Sequence, residues 1–336
     1  TLSNLTLFEQ SAHIKAPESA VFMDTTIKLG KFKLTAGGRY YHNVVDSDVN
    51  GRGLLLLPSG STEFSEQKRE VASGFNPKVS LAWRPDKRFL AYTLFSRGYR
   101  LGGPNLVPST PVSPTKRSYG ADSVDNYEIG VKTSWFRGRL TLDVTGYRID
   151  WTNIPLIVTD SSGLFKYLDN AGDARIKGIE TSLFMKPLPY LTLRTAVTWS
   201  DARLLNDYDP NNGRPPAQAG DRLPGAPEWT ASNVLTGLSN FGNFAPSLSL
   251  IHRYESKSPS NLSFKEIKKG GYNLFDVRGG FKLGEFGLTA FCKNIADERG
   301  VTASNNYERT DGEILSLKYI TPPRTFGLEL SYSFEQ

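Results

Sequence analysis

The sequence predicts an all-β chain folded as a transmembrane antiparallel up-and-down β-barrel of about fourteen strands, on three observations. Apolar residues recur at every second position, short turns alternate strictly with long polar connections, and no apolar run approaches the length of a membrane-crossing helix. The longest aliphatic run is Leu54 to Leu57, whereas a spanning helix needs about 20 apolar residues. A barrel escapes that requirement because its strands alternate between lipid and lumen, so no window average turns hydrophobic. The mean hydropathy of −0.37 is compatible with this.

Strands are expected near 4–13, 18–29, 32–46, 68–84, 89–100, 122–136, 138–151, 174–186, 190–203, 227–237, 244–257, 272–283, 285–296 and 324–334. In the strand near 32–46, Phe32, Leu34 and Ala36 alternate with Lys33, Thr35 and Gly37; near 122–136, Tyr127, Ile129, Val131 and Trp135 share one face. Near 138–151 the apolar phase moves from Leu140, Leu142 and Val144 to Tyr147, Ile149 and Trp151. Gly146 between them marks a bulge or the strand's exit from the membrane. Leu191, Leu193, Thr195, Val197 and Trp199 form the next clear face, and the closing segment places Phe326, Leu328, Leu330, Tyr332 and Phe334 on one side. This is strand periodicity, and helical spacing fits none of these segments.

Short turns fall at Leu29-Gly30-Lys31, Pro85-Asp86-Lys87, Arg137-Gly138, Pro187-Leu188-Pro189, Asn240-Phe241-Gly242 and Gly284-Glu285. Between them lie long stretches at 47–67, 101–121, 152–173, 204–226, 258–271 and 297–323, rich in Gly, Pro, Ser, Asn or Asp. A hairpin-plus-loop unit of about 50 residues is the pattern of outer-membrane barrels, with periplasmic turns and extracellular loops. Loops above about 12–15 residues are uncommon in compact domains, so a set of them on one side implies a recognition surface. Trp83, Trp135, Trp151, Trp199 and Trp229 near strand ends suit interfacial girdles; packing in a soluble β core is the other reading. If the last strand descends to the periplasm, Lys33, Arg39, Glu128, Lys132, Arg194, Asp276, Arg278 and Lys293 line a wet lumen.

Composition excludes several classes. The 40 basic and 34 acidic residues are scattered and form no basic stripe, which argues against nucleic acid. The single Cys292 excludes an internal disulfide framework and a cysteine zinc site, and only His13, His42 and His252 could serve histidine chemistry. No phosphate cradle, nucleophile elbow or metalloprotease motif occurs, so no enzyme and no catalytic residue is expected. The opening Thr1-Leu2-Ser3-Asn4 carries no targeting segment: either one was removed or the chain starts within a longer protein.

A family resemblance runs along the chain. Phe95-Ser-Arg-Gly-Tyr-Arg100-Leu-Gly-Gly-Pro-Asn105 resembles the strand-to-loop signature of TonB-dependent outer-membrane receptors. Asn126-Tyr-Glu-Ile-Gly-Val-Lys132, Tyr147-Arg-Ile-Asp-Trp-Thr-Asn-Ile154, Asn170-Ala-Gly-Asp-Ala-Arg-Ile-Lys-Gly-Ile-Glu180, Gly225-Ala-Pro-Glu-Trp229, Lys293-Asn-Ile-Ala-Asp297 and Pro322 to Phe334 are similar to later segments of that family, in its order. The resemblance implies barrels of about 22 strands occluded by an N-terminal plug, with a TonB box that engages the TonB complex. No plug or box is recognisable here, so residues 1–336 are expected to be the C-terminal portion of such a barrel. What it implies is active import, through the outer membrane of a Gram-negative bacterium, of a scarce substrate such as a ferric siderophore. A passive diffusion channel, an adhesin barrel and a secreted soluble β-protein remain alternatives.

Candidate substrate contacts are Arg97, Tyr99 and Arg100, since guanidinium pairs well with the oxygens of an anionic ferric chelate, and the loop aromatics Tyr119, Phe165, Tyr167, Tyr208 and Tyr307. Asp46-Ser-Asp48-Val-Asn50-Gly51 matches the first half of a calcium loop, but position twelve is Leu57 rather than Glu, so an ordinary acidic turn competes with a calcium site at Asp46, Asp48 and Asn50. Asp207, Asp209, Asn211 and Asn212 form a second oxygen-rich loop. His42 and His252 offer ligands for haem iron, against the commoner reading of strand-end histidines. No resident cofactor is otherwise expected.

Overall fold

The computed structural model describes residues 6–54, 56, 62–107, 116–160, 165–209, 211, 216–262, 267–308 and 313–334. Fourteen strands form one sheet with antiparallel pairings throughout: β1 (Glu9–Lys15), β2 (Glu18–Leu29), β3 (Phe32–Arg52), β4 (Glu63–Asp86), β5 (Phe89–Arg100), β6 (Asp122–Trp135), β7 (Leu140–Thr152), β8 (Ala174–Leu188), β9 (Leu191–Leu204), β10 (Trp229–Leu238), β11 (Phe244–Glu255), β12 (Tyr272–Leu283), β13 (Phe286–Lys293) and β14 (Thr325–Tyr332). From β3 onward each strand pairs with the next in sequence, the up-and-down order expected. No helix among the described residues is long and apolar enough to cross a membrane.

β1 and β2 lie end to end along β3, pairing Glu9 to Arg52 through Lys15 to Asp46, then Glu18 to Asn43 through Leu29 to Phe32. Pro17 explains the break, because its ring nitrogen has no hydrogen to give the ladder; its carbonyl still accepts from Val44 N at 3.3 Å. Among the described residues the outer edges of β1, β2 and β14 have no partner strand, so the sheet is open there. At the two-residue turn of β12 and β13, Gly284 has φ +58 with open space around a Cβ, so the backbone angle and not crowding requires glycine.

The register assigns the faces. Phe32 opposes Trp83, Leu34 opposes Leu81 and Ala36 opposes Val79; on β6 the same face carries Ile129, which is 69% exposed, and on β14 Leu330, which is 82% exposed. Apolar side chains this bare form a continuous outer surface suited to lipid rather than water. The opposite face is partly covered by polar side chains, and buried residues gather at the long-loop end, where Ile154, Ala171, Ala174, Ala202, Leu204, Ala217, Leu223 and Leu262 form the apolar core.

The phase change in β7 is not a bulge. Its pairing with β6 and β8 is continuous from Trp151 down to Leu140. Below Gly146 the apolar side chains Leu140, Leu142 and Val144 face outward; above it Tyr147, Ile149 and Trp151 face inward, and outward places go to Arg148 and Asp150. There the outer face turns from apolar to charged, and the strand begins to support the loop core. Trp151 accordingly departs from the girdle expected of it: it packs against that core and donates Nε1 to Asp122 Oδ2. The other four tryptophans lie on the outer face, Trp199 opposite Trp229 and Trp83 opposite Phe32.

The expected loop at 47–67 is largely strand. Val45 and Val49 are buried on the inner side of β3 while Val44, Asp46, Asp48 and Asn50 alternate on the other, paired to β4 from Asp46 with Arg69 to Arg52 with Glu63. A solvated outer face makes this extension polar in composition, which is why it reads as loop. Gly178 shows how tightly the inner face is packed: a Cβ there would meet the Tyr147 ring at 2.4 Å and Trp199 O at 2.6 Å. Gly178→Val is expected to cost about 1–3 kcal/mol by overpacking, read as a lower unfolding midpoint in heat-modifiability gels, and an unchanged midpoint would refute the close approach.

Candidate functional site

The long connections carry their own short hairpins, Gly103–Pro104 with Ser118–Tyr119, Pro155–Thr159 with Lys166–Asn170, Ser258–Pro259 with Lys268–Lys269, and Val301–Glu308 with Ile314–Ile320. Local strand pairing satisfies backbone groups that a bare loop would leave to water. Side chains then tie these pieces into one assembly over the inner face of the sheet.

Asn105 acts as a peptide mimic: its Nδ2 donates to Lys116 O at 2.9 Å and Leu168 O at 2.7 Å, and its Oδ1 accepts from Leu168 N at 2.8 Å. One residue further, the buried Asp169 carboxylate meets Lys116 Nζ and the Tyr208 hydroxyl, each at 2.5 Å. Three connections, at 101–121, 153–173 and 205–228, therefore converge on one carboxylate. Burial, and then the hydrogen bond to Asp169, push the Tyr208 hydroxyl far above its ordinary range, so it stays protonated and donating. Burial, with Asp169 and Asp160 nearby, likewise raises Tyr167, and burial lowers Lys166, whose Nζ donates to Asn305 Oδ1 at 3.2 Å.

The final connection is closed by Asn294, 5% exposed and at φ +50. Its Nδ2 donates to Glu298 O at 3.0 Å and Pro322 O at 2.8 Å, its Oδ1 accepts from Glu298 N at 2.9 Å, and its own N–H donates to Asp276 at 2.8 Å. Asp276 also receives Arg253 at 2.6 Å. Asp297, just beyond, is held below the ordinary carboxylate range by the Arg324 N–H and by Arg299.

The residues singled out from sequence do not form one cluster. Arg97 pairs with Asp125 at 2.6 and 2.7 Å, whereas Arg100 grips Asp122 at 2.8 Å and lies over Trp151, its guanidinium carbon 5.0 Å from the ring centroid. Three residues apart on one strand, they fall on opposite faces. Tyr99 stacks on Tyr41, receives the Asn43 amide and donates to Glu18 at 3.3 Å. Tyr119 is half-buried, Tyr167 is 5% exposed, and Tyr208 is engaged by Asp169. These last two hold the loop scaffold together instead of presenting a free ring. Phe165 packs edge-on to Phe8. Tyr307 opposes Leu315 in its hairpin, and its side chain lies outside the described residues, as does Asn212.

The register puts Arg39, Glu128, Lys132, Arg194, Arg278 and Lys293 on the inner face, each engaged there. Arg39 donates to Glu18, Glu128 accepts from Asn126 at 2.7 Å, Lys132 reaches Asp143 at 3.4 Å and Arg278 pairs with Glu329. Arg194 and Lys293 lie over Phe184 and Phe291. Asp46, Asp48 and Asn50, expected as a calcium loop, alternate along straight β3, where Arg69 and Gln67 approach the two carboxylates at 3.8 and 3.2 Å. Extended backbone carries them to successive positions on one strand face instead of wrapping them round an ion. Among the described residues no group of three or more His, Cys, Asp or Glu is arranged to hold a metal. His42 bonds Ser73 at 2.8 Å, and His252 sits between Asn233 and Asn273 at 3.0 Å each, stacked on Phe275.

Sequence reasoning missed Asn105, Lys116 and Asp169 as loop fasteners. The one signal was the alternation of Tyr167 with Asp169, which put both on the buried side of a short strand.

A meandering sheet with an apolar outer face, an ion-paired inner face and interlocked loops at one end defines an outer-membrane-type β-barrel. The family model for the TonB dependent receptor-like β-barrel matches residues 3–295, and the chain belongs to that family, one of receptors and not enzymes. Among solved structures, the ferric yersiniabactin uptake receptor FyuA from Yersinia pestis is similar at 18% identity and TM-score 0.79, covering 98% of this chain and 47% of that one. The ferric-catecholate import receptor Fiu from E. coli K12, in its closed form, matches at 18% identity and TM-score 0.67 over 96% of this chain and 45% of its own. The siderophore receptor PiuA from Acinetobacter baumannii gives 14% identity and TM-score 0.68 over 96% and 44%. The chain thus spans about half the length of the receptors it matches.

Proposed function

We propose that this chain is the C-terminal part of the barrel of an outer-membrane receptor in a Gram-negative bacterium, importing a scarce metal chelate, a ferric siderophore in the first instance, with energy supplied through TonB. The family match along residues 3–295 carries the reading. The unpaired edges of β1, β2 and β14 support it, since a sheet in lipid must be closed by further strands. In this reading a plug fills the lumen, where the inner-face ion pairs meet it, and makes the TonB contact. Arg100, with its side chain 59% exposed and oriented by Asp122 and Trp151, presents a guanidinium toward an anionic ligand. The interlocked loops supply a rigid rim for that recognition.

The test is uptake of ferric siderophores of several chemical classes by a strain lacking the gene, complemented with it in the presence and absence of TonB. TonB-dependent uptake of at least one iron complex is expected, with no steady conductance when the purified protein is placed in planar bilayers. Conductance without TonB, together with no uptake, would favour a passive channel.

A further inference from the structure

Above the apolar band of the outer face, the register lines up two charged cross-strand rows. The first runs Arg148, Lys177, Asp201 and the next Asp150, Arg175, Arg203, across β7, β8 and β9. They begin immediately above Ile179 and Trp199, the uppermost apolar residues of β8 and β9 on that face. Asp150 is shared by Arg148 and Arg175 at 2.6 Å each, and Asp201 by Arg203 at 2.7 Å and Arg222 at 3.2 Å. Lys177, exposed, stands between Arg148 and the doubly occupied Asp201. Even with Glu228, which Arg222 reaches at 3.4 Å, the cations outnumber the carboxylates.

We infer that this patch on β7 to β9 is a docking site for the phosphate groups of outer-leaflet lipid. Two residues of strand rise about 6–7 Å, so the rows stand at headgroup depth when Trp199 lies at the interface. Guanidinium pairs with phosphate in two parallel hydrogen bonds; Arg175 gives only Nε to Asp150 and keeps both terminal nitrogens for that pairing, while Arg203 and Arg222 also donate to Gly220 O and Ser200 O and hold Asp201 in place. Lys177 adds a cation whose neighbours do not neutralise it. The inference rests on the reading that this face meets lipid.

The test uses the full-length protein in phosphatidylcholine nanodiscs, with bisphosphorylated lipid A added, and counts retained lipid by native mass spectrometry. Arg175→Gln with Lys177→Gln leaves Asp150 its Arg148 partner and is expected to weaken lipid A retention by about tenfold or more; dephosphorylated lipid A should be held equally poorly by both proteins. If the double variant does not insert, Lys177→Gln alone makes the comparison. Equal retention of bisphosphorylated lipid A by variant and wild type, retention of dephosphorylated lipid A by the wild type as strong as that of the bisphosphorylated form, or displacement of the lipid by millimolar inorganic phosphate would each overturn the site. Failure of the wild type to enter phosphatidylcholine nanodiscs would instead overturn the membrane reading beneath it.

Discussion

Replacing Asn294 by Ala is expected to destabilise the protein by about 2–4 kcal/mol and to open the connection between β13 and β14 to protease. Asn294 uses both amide hydrogens and its oxygen on backbone groups of Glu298 and Pro322. Each such bond contributes about 1 kcal/mol; Pro322 is exposed and Glu298 O keeps the Thr321 hydroxyl as a donor, so the loss is that of the bonds themselves. Alanine would also have to hold φ +50, at about 1–2 kcal/mol. Asn294→Gly separates the two causes, since glycine restores only the backbone freedom. Unfolding midpoints for the three proteins, with cleavage mapped between 294 and 324, check the expectation. An alanine variant as stable and protease-resistant as the wild type would show that this closure is not held by Asn294.

Asp169→Ala is expected to loosen three outer connections at once while leaving the sheet intact. The carboxylate is 2% exposed, and its loss leaves the Tyr208 hydroxyl without its acceptor and Lys116 without its counter-charge. An orphaned buried donor costs about 1–3 kcal/mol, and an unpaired buried charge about 3–5 kcal/mol; Lys116 is 59% exposed, so its share is the smaller, because it can turn to water. Tyr208→Phe should lose only about 1 kcal/mol. Hydrogen exchange is the discriminating measurement. Amides of Asn105, Leu168, Tyr208 and Ala217 should exchange faster in Asp169→Ala, and those of β6 to β9 should not. Uniform acceleration across the sheet would mean that the loops and barrel unfold together and that Asp169 is no local fastener.

Which parts of this architecture were legible depends on how far each cause reaches along the chain. The alternation of Leu191 to Trp199, or Phe326 to Tyr332, names the outward face directly, because every second side chain of a strand points the same way. The inner-face charges followed from the same rule. The upper parts of β3 and β4 were not legible, since Asp46 to Arg52 alternates polar residues with small ones and composition alone calls that a loop; only pairing to 63–70 makes it a strand. In β7 the sequence displayed the change of face at Gly146 but not its cause. A bulge and an unbroken strand whose outer face turns from apolar to charged leave the same trace, and the continuous register decides between them.

The candidate site was less legible still. The arginines and loop tyrosines were located by residue type, yet Arg97 and Arg100 part to opposite faces and Tyr167 and Tyr208 turn into the loop core. By itself the sequence determined the strand period, the turn positions, the sidedness of the barrel wall and the family, because each of these is written in residues within a few positions of one another. Tertiary structure alone decided which loops meet. Tyr208 reaches Asp169 across 39 residues, Asn105 reaches Leu168 across 63 and Lys166 reaches Asn305 across 139. No local preference encodes such partners, since closing a chain over those distances is offset only by burial that exists once the strands have aligned the loops.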